Sequence, residues 1–412
     1  MVRTPIYPLL SGGVEAFAAA IWPLYLLQVV LSVGTALLVC GIAAAILGRG
    51  PALFAGCLYA VDLCVAGINF EALSEPLFVF LSMLGIFVWI RTYAVQPSRH
   101  FVRAHLFAGA LLGVALLTRP AGIYLPAVLA VAGAGILAGR YQWRALIGPV
   151  LLVFAAYAVA APWVARNNRV HGIPRLTNAD SINLAYFAGA AVYQLKYGID
   201  REQAQERIAS EFDLPPLGAA NNTWRLQDSV RNVDGKQRAA AREILTANPL
   251  LFAQASAIGV AKSFGSHSSA SIAAMAGRTW SPPGLSSIAD GDFMSVWQSI
   301  RRNDAWIVAV FAWQMLIAGT VTVSALAGVW LLLLRRHSIV AAGLLLPALY
   351  SVATIAVVGV DAYWRHRLPI TPIACILAGY GMFELRCRLA APRPAANEPT
   401  ALAAQAGSAN AA

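Results

Sequence analysis

Long apolar runs with almost no charge inside them constrain this chain more than any other feature. They fall at about 20–47, 51–68, 75–90, 104–118, 120–138, 146–164, 305–334, 338–358 and 368–385. Several approach the roughly 20 residues that a membrane-spanning helix needs. Only 12% of residues are charged while 59% are hydrophobic, against roughly 25% charged in soluble domains. Water cannot solvate such a chain. The fold class that follows is an all-α polytopic membrane protein with about nine transmembrane helices.

The formal net charge of +11 raises the question of nucleic acid. The arginines, however, gather at the ends of apolar runs and in one long polar segment, and they form no basic face on a folded domain. Anionic lipid head groups, or a phosphate carried on a lipid, suit that placement better. The five cysteines, Cys40, Cys57, Cys64, Cys375 and Cys387, lie in or beside apolar runs, without metal spacing or a disulfide framework. They read as small packing residues. The three lysines against many arginines and alanines suggest a bacterial chain from a GC-rich genome. In such a chain the sequon at Asn221 carries no meaning.

Arg49, the Arg91/Arg99/Arg103 cluster, Arg140/Arg144, Arg335/Arg336 and Arg386/Arg388 share one side if every run spans. The positive-inside rule makes that side the cytoplasm. The connections around Glu71 and Glu75, around Arg119, over 165–304 and over 361–367 then face outward, toward the periplasm if the membrane is a bacterial inner membrane. The expected organisation is an N-terminal bundle over 1–164, an extracytoplasmic helical cap over 165–304, C-terminal helices over 305–388, and a disordered cytoplasmic tail from 389 to 412. Within the cap, 200–212 and 236–265 have helical spacing, and 266–292 is rich in Ser, Gly and Pro. An outward N-terminus with no signal sequence predicts a helix and loop upstream of this chain.

Five outward clusters carry side chains able to do chemistry. Arg3-Thr4-Pro5-Ile6-Tyr7-Pro8 joins a cation, a rigid turn and an aromatic ahead of the first helix, as an interfacial anchor also would. Glu71 and Glu75 stand one helical turn apart, and Glu75 precedes a proline where the helix dipole favours a carboxylate. Arg119-Pro120 interrupts two apolar runs, where proline removes a backbone donor. The arginine there either snorkels or grips a phosphate with its rigid fork. Arg166 follows Trp163 in ordinary belt fashion. The fifth, Asp361-Ala362-Tyr363-Trp364-Arg365-His366-Arg367, puts two arginines in a short outer loop, which the positive-inside rule disfavours. A lipid-phosphate site explains it, with cations on the anion and aromatics around a sugar or polyprenyl chain. Asp62, alone inside the second run, is either functional or hydrogen-bonded to a neighbouring helix. No nucleotide loop, metalloprotease helix or nucleophile elbow occurs. The histidines are scattered and support no metal, and no cofactor is called for.

These clusters, in this order, resemble the bacterial members of the membrane glycosyltransferase C superfamily. The resemblance is strongest to the protein-mannosyltransferase-like and aminoarabinose-transferase-like (glycosyltransferase family 39-like) enzymes. It rests on RTPIYP at 3–8, EALSEPLF at 71–78, GALLGVALLTRPAGIYLP at 109–126, APWVARNNRVHGIP at 161–174, AREILTANPLLF at 241–252 and WRHRLPITPIACILAGYG at 364–381. It implies transfer of a sugar from a polyprenyl-phosphate donor to a protein, lipid or glycan acceptor outside the cytoplasm, with no nucleic acid involved. By position, Glu75 matches the acidic residue before the third run and is the expected catalytic residue. Arg119 matches the basic residue of the helix break, and Arg365 and Arg367 match the basic pair before the last helix. Arg3, Tyr7, Glu71, Arg166, Tyr363 and His366 complete the expected substrate-binding set.

The family's principal catalytic acid precedes the RTPIYP-like stretch. Since this chain begins there, the expectation is a misplaced start or a truncated copy, which the DNA upstream of Met1 would decide. Two other functions fit the same residues: a flippase for an anionic lipid, and a non-catalytic scaffold descended from an enzyme.

Overall fold

The computed structural model describes residues 3–94, 101–138, 146–217, 227–278, 280, 293–302, 304–335 and 341–390. Arg99, Arg140, Arg144, Arg336, His337, the sequon at Asn221 and the expected tail beyond 390 lie outside the described residues, as do residue 279 and residues 281–292 of the Ser/Gly/Pro-rich stretch. Every described element is helical. Near the start come α1 (Ile6–Ala18), α2 (Trp22–Leu47), α3 (Arg49–Ala60) and α4 (Leu63–Ile68). Then follow α5 (Glu75–Ala94), α6 (Phe101–Thr118), α7 (Leu125–Ala138) and α8 (Ile147–His171). The polar segment holds α9 (Ala179–Asn183), which continues through a π-helical turn into α10 (Ala190–Tyr197), and then α11 (Arg201–Glu211). It goes on with α12 (Gln227–Ala247), α13 (Pro249–Gly265), α14 (Ser269–Met275) and α15 (Phe293–Arg302). The chain ends on α16 (Ala305–Arg335), α17 (Leu346–Val358) and α18 (Thr371–Ala390).

Seven of these elements, α2, α5, α6, α7, α8, α16 and α17, are long and apolar enough to cross a membrane when α7 and α17 are taken with their adjoining turns. Their sequences are hydrophobic on all sides, so lipid can cover what protein does not. The other two apolar runs behave differently. Run 51–68 is cut at Asp62, whose carboxylate caps α4 by accepting the Cys64 N–H at 2.8 Å. The last run forms α18, apolar in its first half but carrying Glu384, Arg386 and Arg388 toward its end. Both still connect the same two ends of the bundle. Phe54 near the start of α3 meets Phe383 late in α18. At the other end Cys64, on α4, contacts Arg367, which precedes α18. Of the about nine crossings expected from hydropathy, seven are helices long and apolar enough to span among the described residues, and the other two runs form a broken helix and a charge-terminated one.

α18 is the buried axis, with every residue from Thr371 to Gly381 enclosed. Small residues let its neighbours come close, as membrane helices do when dispersion rather than the hydrophobic effect holds them. A Cβ on Gly328 of α16 would lie 2.0 Å from the Leu377 carbonyl oxygen, and one on Gly381 2.3 Å from the Ser324 carbonyl oxygen. On the opposite side Gly379 packs against the α3 backbone at Pro51 and Ala55.

The polar segment folds into its own helices over a small core that includes Tyr186, Val192, Ile208 and Ile244. The expected 200–212 helix is α11, started by a capping box between Asp200 and Gln203. The expected 236–265 helix is interrupted: Asn248-Pro249 breaks it, and the two halves bend by 99°. Proline at the start of α13 lacks the N–H that a continuous helix would require.

Candidate functional site

Three chain breaks at one end of the bundle each deliver a charged side chain. Glu75 opens α5, where the unpaired N–H groups of the first turn favour a carboxylate. Arg119 sits in extended backbone (φ −150°, ψ 127°) between α6 and the short 3-10 turn Pro120–Gly122. Extended geometry is what a residue ahead of proline prefers. Arg365 lies in the 3-10 turn Trp364–Arg367 that joins α17 to α18.

The three side chains meet. Arg119 Nη1 is 2.5 Å from Glu75 Oε1, and Arg365 Nε donates to the same oxygen. The Glu75 side chain is enclosed, whereas those of Arg119 and Arg365 keep 21% and 29% of their surface exposed. Two cations against one anion leave the group one positive charge in excess, on guanidinium edges that still reach the outside. Such an arrangement has unused capacity for an anion with paired oxygens. Burial works against the charge of Arg365, but the Glu75 carboxylate outweighs it and holds the guanidinium above its usual range.

His366 stands beside the pair. Burial, then the charges of Arg119 and Arg365, push its imidazole down to about 4. Its Nδ1 accepts the Tyr363 N–H at 3.2 Å, which makes the neutral ring an Nε2–H donor, and the Tyr363 ring meets it edge-on at 4.7 Å. A histidine depressed in this way binds a proton in the unfolded chain near 6.5 and in the folded chain only near 4. Its contribution to stability is therefore complete above about pH 6.5 and is lost as the pH falls toward 4. His366→Gln is expected to flatten that part of the pH–stability curve, by up to about 3 kcal/mol at its acid end. Thermal unfolding of the two proteins across this range measures it, and parallel curves would contradict it.

The other expected site residues divide into supports and outliers. Tyr7 donates to Gln28 Oε1 at 3.0 Å, and Gln28 Nε2 donates to the Asn69 and Glu71 carbonyls at 2.8 and 2.9 Å. The sequence Tyr7, Gln28, Glu71 thus ties α1 and α2 to the loop that presents Glu75, and Glu71 acts there through its backbone. Burial, with Glu75 nearby, raises the Tyr7 phenol. Arg3 is exposed. Arg166 lies over Trp163 at 4.8 Å and bonds Asn167 and His171, all on its own helix. Arg367 is buried: Nη1 donates to the Phe264 carbonyl at 3.1 Å and Nη2 to Cys64 Sγ at 3.2 Å, with Asp62 3.8 Å away. It joins α4 to α13 and does not share in the Glu75 group's exposed face.

Several functional supports escape a reading of the sequence. The Arg119 break exposes backbone groups that helix would otherwise satisfy, and each needs a partner. Thr4 Oγ1 donates to the Thr118 carbonyl at 3.0 Å, the Tyr350 hydroxyl to Ala121 at 2.6 Å, and the Tyr157 hydroxyl to Ile123 at 2.7 Å. The Tyr350 oxygen also accepts the Tyr124 N–H at 3.3 Å. Isolated tyrosines inside apolar runs were the available signal, since a buried phenol usually seeks a polar partner.

Directly below the ion group runs a narrow, mainly apolar cleft between α5, α7, α17 and α18. Phe78, Met83, Leu125, Tyr350 and Ile373 line it. Its open interior of about 20 Å³ holds about one water and no chain, so any larger occupant must part the helices. Helices of the polar segment hold the 3-10 turn Gly359–Asp361, which leads into the turn that carries Arg365. Lys262 Nζ donates to the Val360 carbonyl at 2.6 Å, and Arg201 approaches Asp361 at 3.7 Å. Among the described residues no three His, Cys, Asp or Glu side chains converge as metal ligands.

Compared with known families, residues 4–165 match that of the dolichyl-phosphate-mannose-protein mannosyltransferases. That match supports a membrane glycosyltransferase of the GT-C type. The matched stretch runs from α1 into α8 and contains Glu75 and Arg119. Arg365 lies outside it, yet it reaches the same Glu75 carboxylate oxygen as Arg119. No curated protein matches the chain.

Proposed function

We propose that this glycosyltransferase takes a sugar from a polyprenyl-phosphate donor and transfers it to an acceptor on the extracytoplasmic side. The observation that carries the reading is the sharing of one Glu75 oxygen by Arg119 and Arg365 at the head of an apolar cleft. Attack of an acceptor nucleophile on the anomeric carbon breaks the bond to the donor phosphate. The departing electron pair then rests on a phosphate oxygen facing the two guanidiniums, which stabilise charge that exists only as the bond breaks. Glu75 keeps both cations aimed, and its second oxygen is the atom available to take the acceptor's proton. The polyprenyl chain leaves the head group along the bilayer and enters between α5 and α17 by parting those helices along the narrow cleft. Arg367 holds α4 and α13 together and acts by position.

The test is binding of a polyprenyl phosphate, without sugar, to the purified protein in nanodiscs. Wild-type protein is expected to bind it, while Arg119→Ala and Arg365→Ala each weaken binding at least tenfold, in line with about 1.5–3 kcal/mol for a charge-assisted hydrogen bond. Equal binding by both variants would reject the assignment. The flippase reading draws support from the broken α3–α4 helix beside Arg367. Movement of a fluorescent polyprenyl phosphate between leaflets of proteoliposomes, with no sugar donor present, would favour it.

A further inference from the structure

The glycosyltransferase site makes no use of α15. Along its sequence FMSVWQSIRR, apolar residues recur at helical spacing at 293, 296, 297 and 300, and positions 295, 299 and 302 fall on the opposite side of the helical register. Ten residues give a helix of about 15 Å, half the thickness of a bilayer core, so α15 cannot cross. Yet Met294 and Trp297 keep 65% and 55% of their surface open. Arginines near a helix C-terminus can be explained as partners of its dipole. That account leaves the open tryptophan without a reason.

We infer that α15 lies flat in the head-group layer of the leaflet at the Glu75 end, with its apolar face on the acyl chains and Arg301 and Arg302 on anionic lipid phosphates. Three observations select lipid as the occupant. First, the membrane-crossing helix α16 begins at Ala305, directly after α15. Trp306, in the first turn of α16, is itself exposed, so the two are continuous with one bilayer-facing surface. Second, α16 starts at the Glu75 end: Trp313 donates to the Val61 carbonyl beside the α4 cap, and Gln314 bonds Ser268. At that same end Phe17 and Trp22 of the α1–α2 corner are also open, as in an interfacial aromatic belt. Third, the charge fits. Arg301 lies over the Trp297 ring at 5.9 Å, as a snorkelling cation would. Asp304 is paired with Arg278 at 3.3 Å, which leaves Arg301 and Arg302 uncompensated by it. A short helix with tryptophan on one face, Arg301 at its margin and Arg302 on the polar side has the chemistry of an interfacial anchor.

Full-length protein in nanodiscs, made with and without phosphatidylglycerol, tests this. Nitroxide labels are placed by Ile300→Cys on the apolar face and by Ser295→Cys on the opposite one, with the five native cysteines replaced. Power saturation should show position 300 more accessible to oxygen than to a nickel chelate and position 295 the reverse. In anionic discs, R301E/R302E should lower the oxygen preference at 300 to its value in neutral discs. Equal chelate access at both positions, or shielding of 300 from both reagents as under the cap or a second copy, would overturn the placement. Identical values in the two lipid mixtures would overturn the assignment of the arginines to anionic head groups.

Discussion

Alanine at Glu75 is expected to destabilise the protein more than alanine at either arginine it binds. Removing one partner of a buried ion pair costs about 3–5 kcal/mol because the other charge is left without compensation. Here Glu75 is the enclosed member, and its loss would set the Arg119 and Arg365 guanidiniums against each other over one vacated position. The partial exposure of both arginines lets water screen them, so the lower end of that range, about 3 kcal/mol, is the figure to expect. Arg365→Ala is the opposite case. Glu75 keeps Arg119, the fold should lose about 1 kcal/mol, and the function should suffer most. Loss of one charge-stabilising donor costs roughly 10²–10³ in catalytic rate.

Unfolding in detergent and sugar transfer, measured on the same two variants, separate these effects. A further variant with Glu75→Leu, Arg119→Met and Arg365→Met removes all three charges together. It should recover much of the stability lost in Glu75→Ala and none of the polyprenyl-phosphate binding. If Glu75→Ala unfolds no earlier than Arg365→Ala, the carboxylate is not what holds the two cations in place.

Gly328→Leu is expected to prevent assembly of the C-terminal helices. The obstruction to a side chain there is the Leu377 carbonyl oxygen, 2.0 Å from the new Cβ, and backbone cannot turn aside as a side-chain tip can. Overpacking a core costs about 1–3 kcal/mol when side chains can repack, and the Gly328 contact offers no such relief. α16 would have to part from α18, and α18 also packs on α3 through Gly379. The control lies on the same helix: nothing approaches within 4 Å of a Cβ on Gly319, so Gly319→Leu should be tolerated and even gain helix propensity. Size-exclusion profiles and melting temperatures of the two variants report the contrast. Monodisperse Gly328→Leu protein with unchanged melting would mean that α16 and α18 do not cross at this point.

Fold class was legible in the chain because hydropathy is a property of each residue and spanning helices need no distant partner to satisfy their backbone. The same holds for the breaks. Asp62, Arg119-Pro120 and Asn248-Pro249 interrupt helices through local chemistry, a capping carboxylate or a missing N–H. Reading 51–68 as a single apolar run passed over the first, and reading 236–265 as one stretch passed over the last. In both cases the interrupting residue was in view and the apolar count outweighed it.

Which charges would meet was decided by the tertiary structure alone. Glu75, Arg119, Arg365 and Arg367 are alike on paper, cations and an anion beside prolines at helix ends. Arg365 crosses 290 positions to reach Glu75, and Arg367, two residues on, turns instead into the seam between α4 and α13. In a 3-10 turn two neighbours of this kind point apart by more than a right angle, so packing around the turn selects which one faces the cavity. Composition and spacing carry the one-dimensional facts of transfer between water and lipid. The direction of a side chain depends on what packs around it.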